Sequence, residues 1–412
     1  MSLSSFPSLA ETLPDDVANA LLIGRIWIPR EGPYLVKVGA IETTDLSGLA
    51  LTSSDLMELD DVAARVKNHQ GKTWSTQTLW ANTDPQQRNE HEAWFLAPTD
   101  LQAIKAAGVT FVASMLERVI EEQARGDAAK AESVRKAVIE VMGDNLRNIK
   151  PGSEQAMKLK EVLVAQGVWS QYLEVGIGPD AEIFTKSQAM SAVGSGFDVG
   201  LHPGSSWNNP EPEIVLIINS KGHVVGAAMG NDVNLRDFEG RSALLLGKAK
   251  DNNASCAIGP FNRLFDGHYT LDNVRTTELS MAVRGPEGFV MQGSSSLRLI
   301  SRDPLDLAAQ AIGPYHQYPD GLVLFLGTMF APTQDRHGPG QGFTHVVGDT
   351  VAVREVQTGI QDNNHIEIIS GLQEGETVVT GPYSAIARKL KGGTSIIVTD
   401  KEKLLGKKKD DD

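Results

Sequence analysis

The chain has 412 residues, 41% of them apolar, which is length enough for a large buried core divided among two or three units. Its 38 basic residues against 52 acidic ones give a formal charge of −14, which argues against a nucleic-acid partner or an anionic membrane surface. A single cysteine, Cys256, leaves no intrachain disulfide and fits a reducing compartment. No basic and apolar leader opens the sequence, and no apolar run reaches membrane-spanning length, so the expected location is cytoplasmic, with no membrane partner.

In chain order, residues 1–109 carry short β-like runs (21–27, 34–41 and 92–96) between Pro, Gly and Asp breaks, which predicts a small N-terminal α+β unit. No chemistry is legible there; His69 and His91 read as surface or hydrogen-bonded histidines. From Thr110 the pattern turns helical, with apolar residues at Met115, Leu116, Val119 and Ile120, and helical spacing continues over 130–146 and 154–165. A charged helical insert over about 115–167 is predicted, packed by one face. Arg118 in it has a fork suited to a carboxylate, and an ordinary helix-face ion pair explains it as well. The run from Tyr172 to Lys186 ends in Phe-Thr-Lys, where a lysine snorkelling at the surface is the plain reading of Lys186. Gly176 and Gly178 lack the strand-loop-helix context of a nucleotide loop.

The stretch 202–261 is the most informative. Apolar runs at 214–218 and 223–229, split by Asn219-Ser-Lys-Gly222, predict a hairpin. Turning it about Ser220-Lys221 would set Glu211 opposite Gly230 and Glu213 opposite Ala228, with Asp232 beside Asn209. Strand period two puts Glu211 and Glu213 on one face, with Pro212 at the strand start, where its missing N–H is tolerated. Three converging carboxylates repel unless a cation lies among them, and an all-oxygen set favours Mg²⁺, then Mn²⁺ or Ca²⁺. Solvated surface acids are the bland alternative. Beyond Phe261, strands are predicted at 268–271, 278–283 and 288–291, a helix at 305–311, and a buried strand from Gly321 into the turn at Gly327-Thr328.

Pro-Glu211-Pro-Glu213, Gly230-Asn-Asp232-Val and Lys250 ahead of Gly259-Pro260 resemble, in order and spacing, the fumarylacetoacetate hydrolase superfamily. The resemblance covers about residues 1–350. It implies an α+β, β-rich fold: a β-roll catalytic domain over 110–353 beside the small N-terminal domain. It also implies that Glu211, Glu213 and Asp232 are metal ligands and that Lys250 is the active-site lysine. Lys248, one strand step away, competes for that role, and alignment on Gly259-Pro260 selects Lys250. The start of the insert would lie over the site as a lid, making Ser114, Glu117 and Arg118 candidate substrate contacts. The run from Tyr172 would be an apolar strand ending in Phe-x-Lys, making Lys186 a second cation facing the site, and the Thr328 turn would bind the substrate carboxylate.

Lys-x-x-x-x-Ser-Cys-x-Ile-Gly-Pro and Asn-Asn-Pro-Glu-Pro-Glu look closer to the branch that removes water from 2-keto-3-deoxy sugar acids. There the 2-oxo acid docks on Mg²⁺, an enolate forms by loss of a C3 proton, and the β-hydroxyl departs. Lys250, Glu117 or Glu121 would move the proton. The alternative branch hydrolyses C–C bonds in acylpyruvate-type diketones with a lid histidine, and residues 114–122 contain none. Either branch implies a small-molecule 2-oxo acid partner and a homodimer or larger homo-oligomer.

From Arg354 the likeness changes. Gly371-Leu-Gln-Glu-Gly-Glu-Thr-Val-Val-Thr-Gly381 resembles the membrane-proximal end of periplasmic efflux-pump adaptor proteins, over about 354–405. A fusion is implied, with 406–412 expected to be disordered by its charge. A third reading is therefore a non-catalytic chimera with an adaptor-like tail.

Overall fold

The computed structural model describes residues 6–125, 127, 149–165, 169–328, 330, 332, 334–339 and 341–356. By internal contacts the chain divides after Val356 into units 1–356 and 357–412. The helical spacing read at 130–146, the adaptor-like segment from 357 onward and the tail 406–412 lie outside the described residues.

The strands are β1 (Leu22–Ile28), β2 (Gly32–Val38), β3 (Glu42–Asp45), β4 (Thr73–Ser75), β5 (Trp94–Leu96), β6 (Ala103–Gly108), β7 (Glu182–Ser187) and β8 (Asn208–Asn209). They continue with β9 (Pro212–Ile218), β10 (Val224–Asp232), β11 (Asn234–Leu235), β12 (Cys256–Leu264), β13 (Glu278–Arg284), β14 (Val290–Ser296), β15 (Leu322–Phe325) and β16 (Thr350–Val356). Among the described residues, an eleven-stranded sheet runs β4-β3-β2-β1-β12-β10-β9-β15-β6-β7, with β5 also on β1. The strands of the first 109 residues thus join the same sheet as the central hairpin, through the β1–β12 pairing at Ile23 and Asn262. β14-β13-β16 form a separate three-stranded sheet. The α+β, β-rich class expected from the sequence is the class observed.

Strand β9 is buried at every position, so it reads as a continuous apolar run instead of alternating. Its two faces still differ. Val215 and Ile217 join Ala228, Val323 and Phe325 in one core, while Ile214, Leu216 and Ile218 join Ala227, Leu322 and Leu324 in another. Glu211 and Glu213 continue the odd-numbered face beyond the apolar core, at the strand's start.

The hairpin register differs from expectation. Glu213 pairs with Gly230, Val215 with Ala228 and Ile217 with Gly226, with an irregularity between Val224 and Gly226. Asp232 N–H donates to Glu211 O at 2.9 Å, so Asp232 sits opposite Glu211, and Asn234 is the residue beside Asn209. The turn is wider than Ser220-Lys221: Asn219 Oδ1 accepts from the N–H of both Lys221 (3.1 Å) and His223 (2.9 Å). The slip is two residues, and a period-two strand keeps its faces under such a slip.

Three local expectations are corrected. Residues 268–271 are not a strand; Thr270 donates its N–H (2.9 Å) and hydroxyl (3.0 Å) to Asn273 Oδ1, which starts the helix Leu271–Thr276. The run from Tyr172 begins as the helix Gln171–Ile177, started by Ser170 Oγ accepting from Tyr172 N–H, and only β7 is extended. Lys248 and Lys250 lie on the short helix Leu246–Lys250, so they are separated by a helical step, not a strand step. No helix among the described residues is long and apolar enough to cross a membrane.

Candidate metal centre and cleft

Glu211 and Glu213 from the start of β9 and Asp232 from the end of β10 each offer an oxygen within 4.8 Å of the others, and all three are buried. The short helix Leu246–Lys250 delivers the buried Lys250, whose Nζ lies 2.5 Å from Glu211 Oε2 and 2.9 Å from Asp232 Oδ2. On the opposite side, Arg118 of the helix Val112–Ala124 donates to Glu211 Oε1 and, at 2.7 Å, to Glu121 Oε2, and lies 3.0 Å from Glu239 Oε2. Glu213 Oε2 accepts the Gly327 N–H at 2.7 Å. Gly327 has φ +101° and an added Cβ would meet Thr110 Oγ1 at 1.9 Å, so a glycine is needed for this donor to reach the site.

Charge sets each group differently. Burial alone would raise Glu211, but Lys250 and Arg118 hold it down at about 2. Glu213 has no cation of its own, and burial together with Asp232 and Glu211 pushes it well above the usual carboxylate range. Burial would lower Lys250, but Asp232 and Glu211 outweigh it and raise its pKa, so it stays an ammonium.

The donor set fits a divalent cation. The buried or cleft-wall carboxyls of Glu121, Glu182, Glu211, Glu213, Asp232 and Glu239 outnumber the cations of Arg118, Lys186, Arg236 and Lys250. Asp232 Oδ1 is buried without a hydrogen bond, although Lys186 Nζ is 3.1 Å away. An unneutralised excess of this kind, presented by oxygens alone, is what a hard ion relieves.

Above the triad a cleft of about 290 Å³, including its mouth, is walled by Gly108, Arg118, Glu182, Phe184, Glu239 and Thr328 together with the triad and Lys250. The sequence reading had not singled out Glu182 or Glu239. Burial first, then Glu239, raises the Glu182 carboxyl to about 7. Glu182 pairs with Gly108 across β6 and β7, and a Cβ at 108 would fall 1.9 Å from Glu182 Oε2. Its sequence signal was present: Glu182, Phe184 and Lys186 are spaced two apart on one strand.

Other candidates are placed as follows. Glu117 and Glu121 do not line the cleft; Arg236, stacked 4.4 Å over Trp207, binds them at 3.1 and 2.6 Å. Lys186 is fully buried behind Asp232 and donates to Lys250 O, Val233 O (3.1 Å) and Ser255 Oγ (3.1 Å). Thr328 is on the cleft wall, with its hydroxyl donating to Phe330 O at 2.9 Å, the self-capping arrangement of a turn. Lys248 Nζ lies 4.9 Å over the Phe238 ring. The side chain of Ser114 lies outside the described residues.

Fold and site together give an α+β, β-rich protein with a buried acidic centre, and comparison with known proteins shows what it is similar to. The apo form of 2-keto-3-deoxy-D-arabinonate dehydratase superposes with TM-score 0.56 at 18% identity, covering 81% of this chain and 94% of that one. The same enzyme complexed with magnesium and 2,5-dioxopentanoate gives TM-score 0.55 at 17% identity, covering 81% and 95%. In sequence, 2-dehydro-3-deoxy-D-arabinonate dehydratase of Saccharolobus solfataricus is 27% identical over 155 residues, 38% of this chain and 51% of the relative. The chain thus spans about half the length of the curated relatives it matches. Residues 337–385 match the family model for the C-terminal permuted SH3 domain of RND MFPs. That match bears out the chimera, and it begins before the expected residue 354.

Proposed function

We propose that this chain is a Mg²⁺-dependent dehydratase of a 2-keto-3-deoxy sugar acid. Mn²⁺ or Ca²⁺ would fit the same oxygens. The single observation that carries the reading is the buried triad of Glu211, Glu213 and Asp232 in a cleft whose wall presents the Glu182 carboxyl, raised to about 7 by burial and then by Glu239. A divalent ion on Glu211, Glu213 and Asp232 would supply Lewis-acid polarisation of a 2-oxo group. Ionised Glu182 takes the proton from C3 of the substrate, the C3–C4 double bond forms as the C4–O bond breaks, and the same carboxyl returns its proton to the departing hydroxyl, which leaves as water. The 5-hydroxy-3-enoate so formed loses a proton at C5 and gains one at C3, and the resulting C4–C5 enol ketonises to the 2,5-dioxo acid. Lys250 is fixed as an ammonium, so it serves as a standing positive charge beside developing oxyanion character and not as the base. Arg118 holds Glu211 and Glu239 in place, and the Thr328 turn faces the substrate carboxylate. Lys186 anchors Asp232 from behind, and Glu117 and Glu121 anchor the two arginines.

The test is turnover of a panel of 2-keto-3-deoxy pentonates and hexonates and of acylpyruvates, with and without Mg²⁺. Release of a dioxo acid without carbon–carbon cleavage, abolished by EDTA, is the expected result. Pyruvate release from an acylpyruvate would overturn it in favour of hydrolysis, and no turnover of either class would leave the chimera as a binding module.

A further inference from the structure

Glu182 is the first residue of β7, so the sheet fixes it from one side only, beginning with its pairing to Gly108. The chain just ahead of it, 178–181, lies outside the sheet and is gripped by side chains of another element. Arg302, 6% exposed, donates from Nη2 to Gly178 O (2.7 Å), Val175 O (3.0 Å) and Asp180 O (3.4 Å), and from Nη1 to Pro179 O (3.3 Å). Gln310 Oε1 accepts the Ala181 N–H at 2.6 Å. Asp306 joins the two: its carboxylate lies 3.7 Å from Arg302 Nη1 and accepts from Gln310 Nε2 at 3.2 Å. Asp306 and Gln310 stand one turn apart on the helix Pro304–Ala311, and Arg302 precedes that helix's cap, Asp303. An arginine at a helix C-terminus commonly closes the last turn. Here only Val175 belongs to the helix Gln171–Ile177; the other three carbonyls follow it and lead directly into Glu182. The same segment also reaches the opposite wall, because Ser301 N–H and Oγ both donate to Thr110 O at 2.8 Å, just ahead of the helix Val112–Ala124 that carries Arg118.

We infer that Arg302, Asp306 and Gln310 are positioning residues, whose grip on 178–181 holds the Glu182 carboxyl on the cleft wall. The inference rests on the dehydratase reading for the task of Glu182, and adds to it the elements that fix that carboxyl in place. Burial, then the like charges of Glu239 and Glu211, oppose an ionised carboxyl at this point, so an entry segment free to shift would let it swing toward water. Fixing the backbone on both sides of Glu182 removes that freedom. Misplacing a reacting group by about 1 Å costs about 100-fold in rate. None of the three clamp residues lines the cleft, so each acts through Glu182 and not on the substrate.

In the full chain with saturating Mg²⁺, Gln310→Ala is expected to lower kcat about 10-fold and Arg302→Met about 100-fold on the 2-keto-3-deoxy acid turned over best, each with KM within about twofold. Gln310→Glu keeps an acceptor for the Ala181 N–H and should stay within about twofold of the unsubstituted rate. In a Glu182→Gln background, Gln310→Ala should lower the residual kcat by less than about twofold, because the group it positions is already gone. An unchanged kcat in both Gln310→Ala and Arg302→Met, or a loss as large in the Glu182→Gln background, would overturn the assignment. Should Arg302→Met fail to fold, the Gln310 variants and the background comparison still decide. A second readout needs no turnover. Urea midpoints in EDTA between pH 4.5 and about 7 carry a Glu182 contribution on the order of 100-fold in the folding equilibrium, lost as pH rises. Gln310→Ala should flatten that slope toward that of Glu182→Gln, whereas a merely structural loss lowers stability equally at every pH. A chain that dehydrates none of the acids yet shows the flattening would sink the dehydratase reading and leave the clamp standing; an unflattened slope would sink the clamp.

Discussion

Replacing Lys250 by Met tests the electrostatic account of the centre most directly. The side chains are of similar length, so packing changes little, and the loss is the ammonium between Glu211 Oε2 and Asp232 Oδ2. Removing one partner from a buried ion pair destabilises by about 3–5 kcal/mol. The lower end applies here, because Glu211 keeps Arg118 and Asp232 keeps Lys186 at 3.1 Å. A loss of about 3 kcal/mol is therefore expected in EDTA. Saturating Mg²⁺ should restore most of it, since ligand at 100 times Kd contributes about 2.7 kcal/mol and the ion no longer meets a competing ammonium. Urea titrations followed by tryptophan fluorescence, with EDTA and with Mg²⁺, measure both quantities. An unfolding midpoint unchanged in EDTA, or a Mg²⁺ stabilisation no larger than that of the unsubstituted protein, would refute the reasoning. Turnover of any keto acid should be lost in either buffer.

Further outcomes follow from the same geometry. The rate should rise with pH through about 7 as Glu182 ionises, and Glu182→Gln should lower kcat by at least about 100-fold and abolish that limb of the profile. The stability sign is opposite: the carboxyl is raised from 4.5 to about 7, so between those values the folded state holds more protons, and this contribution, full below 4.5, is lost as pH rises through 7. Denaturation of Glu182→Gln should accordingly show a flatter pH dependence across that window. Gly108→Ala places a Cβ 1.9 Å from Glu182 Oε2 and must displace it, so kcat should fall about 100-fold with little change in melting temperature; an unchanged kcat would remove Glu182 from the reaction. Glu213→Gln should eliminate the Mg²⁺-induced rise in melting temperature along with activity, and a retained rise would place the ion elsewhere.

What was legible in the sequence was what depends on local period. The β9 and β10 runs, the shared face of Glu211 and Glu213, and the arrival of Asp232 at the same end all follow from strands of period two. The register was missed because Asn219 caps its own wider loop, a side-chain effect that a count of turn residues does not reveal. Lys250 was found by its place before Gly259-Pro260, but its helix is five residues long, too short to show a helical period. Glu182 and Glu239 acquire meaning only from pairing between distant segments: Glu182 against Gly108, and Glu239 against an arginine on the helix Val112–Ala124. The same holds for Glu117 and Glu121, for which the resemblance implied a lid facing substrate and whose partners proved to be Arg236 and Arg118.

The adaptor-family match and the first unit overlap in residues 337–356, and the packing decides which unit those residues serve. Phe343 is fully buried with Met281, Val283 and Met291, Arg336 grips Asp349 at 2.6 and 2.7 Å, and β16 pairs with all seven residues of β13. This stretch also reaches the centre: Asn208 N–H donates to Thr344 Oγ1 and Asn208 Oδ1 accepts the His345 N–H, both at 3.2 Å, three residues ahead of Glu211. The match to the adaptor family begins at 337, but the physical junction falls after Val356, where the first unit ends. A chain stopped after Val356 should therefore keep its Mg²⁺-induced thermal shift. A chain stopped after Arg336 should lose it, because β13 gains an open edge, Phe343 leaves a core cavity and Asn208 loses both partners. Equal behaviour of the two would mean that residues 337–356 belong with the tail, and that the strand pairing at β13 does not stabilise the centre.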